Sequence, residues 1–279
     1  MRKIAIILAT LMVLSGCSSK FAYNNLDWLI YWYVDDYIEL TDQQEQVFDG
    51  KLQQWIRWHR TEELTQYVQH LNTVKQQALG EPLSPEQIAS QFDSARNHWE
   101  RLRDRLSPEL ASMATSLSDD QVVYLFAALE KENQENEEER EELSDEERQE
   151  RQIEDITEQV EEMIGRVTDD QEQIIESYSP KFQSTYDYWL SYRREIQQKA
   201  RELFATRDSN PAFVEQLTDL MLNPQAFRTE RHQQIIEQNR LLYATMIAEI
   251  HSTLTDKQKR KLSKEISAII DDLEDLMGD

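Results

Sequence analysis

Apolar residues recur along this chain at intervals of three and four. Ile235, Leu242, Met246 and Ile250 follow that spacing, with Asn239 in the same line, and Leu262, Ile266, Ile269, Leu273 and Leu276 repeat it. Phe182, Tyr186, Trp189, Ile196, Ala200 and Leu203 form another line, which Arg193 interrupts. Side chains so spaced share one face of an α-helix, and stripes this wide need a partner to cover them. No stretch alternates apolar and polar residues between turn signals, as a half-buried strand does. The pattern predicts an all-α protein: an antiparallel bundle of several long helices.

A recurring local device marks where those helices start. An apolar residue is followed by Ser or Thr and, three positions on, by Gln. The device occurs at Leu40-Thr41 with Gln44, Leu83-Ser84 with Gln87, Leu117-Ser118 with Gln121, Val167-Thr168 with Gln171 and Leu254-Thr255 with Gln258. Leu143-Ser144 with Glu147 is a variant. This is the capping box: the hydroxyl accepts from the N3 amide, and the N3 side chain reaches back to the cap amide. Asp42, Asp119, Asp169 and Asp256 add negative charge to first turns, where the helix dipole favours it. Boxes and prolines together predict helices over 23–38, 41–78, 84–105, 107–116, 118–165, 168–206, 211–221, 224–252 and 255–277. Pro108, Pro180, Pro211 and Pro224 fall where a first helical residue belongs, so Ser179-Pro180 is a candidate break within 168–206.

One segment departs from the pattern. Residues 130–162 hold 17 acids and four bases, and between Lys131 and Arg151 the one large aliphatic residue is Leu143. Like-charge repulsion without an apolar face predicts a solvated helical extension or a disordered insert. The segment carries about half the chain's net charge of −24. So acidic a balance disfavours nucleic acid as a partner. The chain has five glycines, too few for folds built on many left-handed turns or on Gly-rich phosphate loops.

The N-terminus carries an address. Arg2 and Lys3 precede an apolar run, Ile4 to Val13, that is too short to span a bilayer as a helix. It ends in Leu14-Ser15-Gly16-Cys17, a lipobox, and Cys17 is the sole cysteine. The expected organisation is a lipoprotein signal peptide over 1–16, a lipidated tether over 17–21 and one helical domain over 22–279. Removing 1–16 takes away Arg2 and Lys3 and no acid, so the net charge deepens from −24 to −26. Residue 18 is Ser rather than Asp, which points to the outer membrane, with the domain facing the periplasm.

Catalytic and metal-binding patterns are scarce. The histidines, His59, His70, His98, His232 and His251, fall in no HExxH or Glu-x-x-His spacing. His59 and His70 share a face on an unbroken helix but stand about 16 Å apart along it. No nucleophile elbow, P-loop or dinucleotide fingerprint occurs. The expectation is a non-enzyme with no cofactor, no bound metal and no small-molecule substrate. Two aromatic stretches are the candidate contact surface: Trp28, Trp32, Asp35 and Asp36 near the lipidated end, and Trp55, Trp58, His59 and Arg60. Arg beside Trp predicts cation–π stacking and ion pairs to the aspartates of the first helix.

The lipobox, Tyr23-Asn24-Asn25-Leu26-Asp27-Trp28, Trp32-Tyr33-Val34-Asp35-Asp36-Tyr37, Leu40-Thr41, Trp58-His59-Arg60, Glu63-Leu64 and Tyr67 together resemble an uncharacterised family of Gram-negative lipoproteins. That resemblance implies a helical periplasmic lipoprotein and no assigned activity. Leu40-Thr41-Asp42-Gln43-Gln44 and Leu254-Thr255-Asp256-Lys257-Gln258 are locally similar to the LTxxQ periplasmic stress chaperones, in which the motif caps helices of a client-sheltering cradle. The expected function is binding to other envelope proteins. The alternatives are an LTxxQ-type chaperone and a hydrolase working through paired carboxylates.

Overall fold

Every expected capping box forms, and each starts a helix. At Thr41, Ser84, Ser118, Ser144 and Thr168 the side chain accepts from the N3 amide while the N3 side chain accepts from the cap amide. Thr255 and Gln258 make the same two bonds, at 3.3 and 3.0 Å. The structure is a computed structural model that describes residues 17–278; the expected signal peptide lies outside the described residues. Among the described residues there are helices and no strands, as the apolar spacing predicts. The α-helices are α1 (Cys17–Asn24), α2 (Leu26–Asp35), α3 (Asp42–Trp58), α4 (Leu64–Ala78), α5 (Pro85–Met113) and α6 (Asp119–Glu141). They continue with α7 (Asp145–Ile164), α8 (Asp169–Tyr178), α9 (Tyr186–Phe204), α10 (Phe213–Leu222), α11 (Glu230–Ser252) and α12 (Asp256–Gly278). Residues 17–21, expected as a tether, are already helical and open α1.

The expected span 23–38 is broken at Asn25 into α1 and α2, and 224–252 opens as a 3₁₀ turn over Pro224–Phe227 before Thr229 caps α11. Four further boundaries differ, each for a physical reason. Pro108 does not start a helix but sits inside α5, which runs 29 residues. It costs one backbone bond; Leu106, Leu110 and Met113 pack on Phe48, Leu52 and Trp55, and Ala111 is buried in another cluster, so both flanking turns are held. The span 118–165 is two helices, because the Ser144 box starts α7 afresh. Arg148 closes that turn by donating to the carbonyls of Arg140 and Leu143 at the end of α6. The span 168–206 breaks at the 3₁₀ turn Ser179–Lys181, as Pro180 suggests. The span 41–78 is interrupted by a π-helical turn over His59–Glu63.

α5 is the spine. Its first half buries Ile88 and Ala89 against Ala244 and Ala248 of α11, where small residues let the two backbones approach. Its last turns bury Ala111 with Phe213, Leu217 and Leu220 of α10, and with Phe126 of α6 and Phe204 of α9. A separate cluster joins Ile156, Val160 and Ile164 of α7 to Ile175 and Tyr178 of α8 and to Met246 and Ile250 of α11. The acidic segment is thus a helical hairpin with a buried foot. Its α6 arm is matched on α9: Arg193 pairs with Glu132, and Arg194 reaches Glu130 at 3.3 Å and Glu137 at 2.6 Å. The arginine that interrupts the α9 stripe is there to meet those acids. Gly165 ends α7 with φ of 78°, a conformation that side-chain-bearing residues rarely adopt, and turns the chain toward the Thr168 box.

Four of the boxes are joined in pairs. Gln44 donates to Gln121 Oε1 at 3.1 Å, and Gln121 returns the bond to Gln44 Oε1 at 2.7 Å. Gln44 also donates to Ser116 O, and Gln121 to Glu39 O; each acceptor lies two residues before the partner's N-cap. The second pair repeats the scheme. Gln171 and Gln258 exchange amide bonds at 3.1 and 2.7 Å, Gln258 donates to Arg166 O, and Gln171 donates to Thr253. Each pair is a local two-fold clasp that fixes two helix starts, 77 or 87 residues apart in sequence, against one another. Gln171 and Gln258 are buried, so a broken clasp strands amide groups away from water.

Gln171→Ala is therefore expected to cost about 2–4 kcal/mol, against about 1 kcal/mol for Gln87→Ala, whose box stands alone. Urea denaturation of the two variants checks this. Equal costs contradict the clasp.

Candidate functional site

The densest polar constellation gathers at the π-helical turn. A turn of this kind inserts one residue into a helix, shifting the faces on either side of it, and such insertions concentrate at functional places. Here the amide of Leu64 donates to His59 O, and Glu63 and Leu64 both become buried. His59 lies between two phenols, with Nδ1 2.9 Å from Tyr23 Oη and Nε2 3.2 Å from Tyr67 Oη. The Tyr67 ring meets His98 edge-on at 4.6 Å between centroids. His98 Nε2 is 2.9 Å from His70 Nδ1, and His70 Nε2 is 3.0 Å from Gln91 Oε1. Gln91 donates onward to Gln77 at 3.0 Å. Arg101 grips Glu63 through Nε, at 2.8 and 3.1 Å, and reaches His98 Nδ1.

The direction of this chain follows from one chemical fact: a guanidinium donates and never accepts. His98 Nδ1 faces Arg101, so it is the accepting nitrogen, and Nε2 carries the proton. That proton points at His70 Nδ1, so His70 carries its own on Nε2 and donates to Gln91. The donation sequence is Arg101, His98, His70, Gln91, Gln77. Burial holds His98 in the neutral form, with its pKa lowered to about 4; the Arg101 cation and then His70 push the same way. Burial likewise lowers His59 to about 4, opposed by the Glu63 carboxylate. Tyr67 is pushed up to about 12 by burial and then by Glu63, against Arg101. At neutral pH His59 and His98 are therefore uncharged and Tyr67 keeps its proton, while Glu63 is held by Arg101. Chemically, the arrangement is a directional hydrogen-bond relay that ties α1, the π turn, α4 and α5 together.

The relay ends at the surface. Gln77 lines an open hollow of about 450 Å³ together with Gln76, Gly80, Glu81, Pro82, Leu83 and Gln87. His251 of α11 braces the loop behind it: its Nε2 donates to Ala78 O at 2.8 Å, and its Nδ1 accepts from the Leu83 amide at 3.2 Å. Among the described residues, no three His, Cys, Asp or Glu side chains are placed to hold a metal ion.

The eight residues of the expected contact surface do not share one face. Trp28 and Trp32 project outward, and Asp35 and Asp36 are exposed beyond them. Trp55, contrary to expectation, is core and not contact surface: it is 5% exposed, with Nε1 donating to Glu109. Packing from Phe48 and Leu52 on its own helix, and from Leu106 and Leu110 of α5, covers it. Trp58 is half-buried edge-on to His59, and His59 is held between Tyr23 and Tyr67. Arg60 stacks over Tyr23 and donates to Asn24, rather than meeting a Trp and the aspartates of the first helix. Sequence reasoning did not single out Glu63, Tyr67, His70, His98 and Arg101 as one group. The signal was available: Glu63 at the end of the π turn and Tyr67 and His70 of α4 follow helical spacing, and Gln91, His98 and Arg101 do so on α5.

Lowered histidine pKa values set a pH dependence. In the unfolded chain these rings protonate near 6.5, whereas the folded state keeps His59 and His98 neutral down to about 4. Their contribution to stability is complete above 6.5 and is lost as pH falls toward 4. The thermal midpoint of the wild type should therefore fall between pH 7 and pH 5, and that fall should shrink in a His59→Gln/His98→Gln variant. A fall of the same size in both proteins excludes the relay as its cause.

Comparison with curated proteins and with solved structures finds no match. A family model does match, over residues 36–233, a stretch that runs from the end of α2 into the first turn of α11 and includes the π turn and five complete capping boxes. By that match the chain belongs to a family of unknown function, DUF6279.

Proposed function

We propose that this chain is a non-enzymatic lipoprotein of the outer membrane, anchored through Cys17, that faces the periplasm and works by binding other envelope proteins. The observation that carries the address is the lipobox Leu14-Ser15-Gly16-Cys17, which holds the chain's single cysteine at the position that lipidation requires. The start of the fold supports it. α1 begins at Cys17 and is pinned to α12: Lys20 pairs with Asp275, and Tyr23 packs with Leu64 and Leu276. An anchor there holds the whole bundle through packed helix rather than a loose leader.

The contact function rests on exposed apolar side chains beside the first clasp. Val47 and Tyr124 occupy equivalent places, each three residues after a clasp glutamine, and both are about half exposed, with Val123 more so. Isolated exposed apolar residues are ordinary, but large ones clustered at the junction of two helix starts mark an interaction site. A second function, LTxxQ-type shelter of unfolded clients, is favoured by one observation. Both of the motif's local matches, Thr41 with Gln44 and Thr255 with Gln258, are clasp members.

Mass spectrometry of the native protein should find acyl chains on Cys17, and Cys17→Ser should release the protein into the soluble periplasmic fraction. A photocrosslinking residue at position 124 should capture a defined envelope protein in intact cells, and one at exposed Glu150 should not. No adduct from positions 47, 123 or 124 overturns the contact function. Suppression of client aggregation by purified protein would favour the chaperone function instead.

A further inference from the structure

The outward side of α1 and α2 carries a line of aromatics. Phe21 is 70% exposed, Trp28 65% and Trp32 47%. Trp28 and Trp32, four apart on α2, point within about 40° of one another, and Phe21 stands one helix back on α1. Asn25, with φ of −117° and ψ of 27°, makes a one-residue kink between the two helices, across which the Asn25 amide donates to Phe21 O and the Leu29 amide donates to Asn25 O, both at 3.1 Å. The opposite side is committed to the core: Tyr23 and Leu26 pack with Leu64 and Leu276, and Ile30, Tyr31 and Val34 pack with Phe48, Leu52 and Trp55. The aromatic line therefore cannot turn inward without dismantling two clusters.

We propose that Phe21, Trp28 and Trp32 lie in the headgroup layer of the bilayer that holds the acyl chains of Cys17. The proposal rests on the lipidation of Cys17. Proximity and geometry argue for lipid as the occupant. Phe21 is four residues from the anchor, about 6 Å along the helix, and Trp32 is about 23 Å along it. A helix lying along the surface brings all three to one depth, whereas an upright helix carries Trp32 well clear of the lipid. Indole settles readily at that depth, where its ring is half immersed and its N–H stays wet. No helix among the described residues is long and apolar enough to cross a membrane. The line ends in charge: Asp35 and Asp36 stand one helical repeat beyond Trp28 and Trp32, so the carboxylates mark where the helix leaves the lipid. Asp27 lies beside the line, and the base nearest to it in sequence, Lys20, is paired with Asp275. The surface therefore suits zwitterionic rather than anionic headgroups.

The test uses the mature lipidated protein in phosphatidylcholine vesicles with brominated acyl chains, reading tryptophan quenching. Wild type and Trp99→Phe, which removes an exposed indole elsewhere, should both be quenched. Trp28→Phe/Trp32→Phe should lose most of that quenching while keeping the wild-type circular dichroism. Vesicles enriched in phosphatidylglycerol should quench the wild type less. Quenching that survives the double substitution, or that rises with anionic lipid, overturns the proposal. Absent quenching on protein with acyl chains on Cys17 overturns it while leaving the anchor intact; protein without acyl chains refutes both. Burial of Trp28 in the absence of vesicles, rising with protein concentration, assigns the line to a second copy of the chain and also overturns it.

Discussion

A glutamine at the third position of a helix organises this molecule. Its oxygen caps the start of its own helix, and the same oxygen also accepts from the amide of a second glutamine doing the same job. Its nitrogen is then free to cross over and hold the chain that leads into the partner helix. One side chain thereby fixes a local boundary and a long-range contact. Repeated at Gln44 with Gln121 and at Gln171 with Gln258, the arrangement positions four helix starts without a strand or a disulfide. This matters in a bundle whose apolar interior is divided into separate clusters, because apolar packing specifies volume better than it specifies register.

Polar contacts supply register elsewhere too. The acidic hairpin has few apolar residues between Lys131 and Arg151, yet it is seated through the Arg193 and Arg194 pairs and through buried Asn133, which exchanges bonds with Gln197. The relay from Arg101 to Gln77 works likewise on α4 and α5. Each of its members has a partner for its proton and lone pair, so two half-buried histidines side by side are tolerated where unpaired ones would be costly. The π turn links α3 to α4 beside it: His59 and Glu63 sit four residues apart on the widened turn, where Glu63 is buried and His59 half-buried.

The parts that were legible in sequence are those encoded within one turn. Thr41 and Gln44 declare a helix start by chemistry acting over three residues, and all such starts were placed correctly. The pairing of Gln44 with Gln121 was not legible, because nothing local distinguishes a clasp glutamine from Gln87, whose box stands alone. The meeting of His70 with His98 is hidden for the same reason: helical spacing relates His70 to His59 in sequence, while its partner arrives from α5. The burial of Trp55 is not legible either, because an aromatic close to an arginine looks alike in sequence whether a neighbouring helix covers it or not. Pro108 carries a local preference for a helix start, and tertiary packing on both its flanks overrides that preference.

A double-mutant cycle on Gln171 and Gln258 tests the clasp most directly. With each residue changed to Ala singly and together, and stability measured by reversible urea unfolding, the account predicts a coupling free energy of about 1–3 kcal/mol, since either single change already strands the other amide. Costs that add to within about 0.5 kcal/mol would mean that each glutamine serves its own helix alone, and the paired clasp would not be what holds the bundle in register.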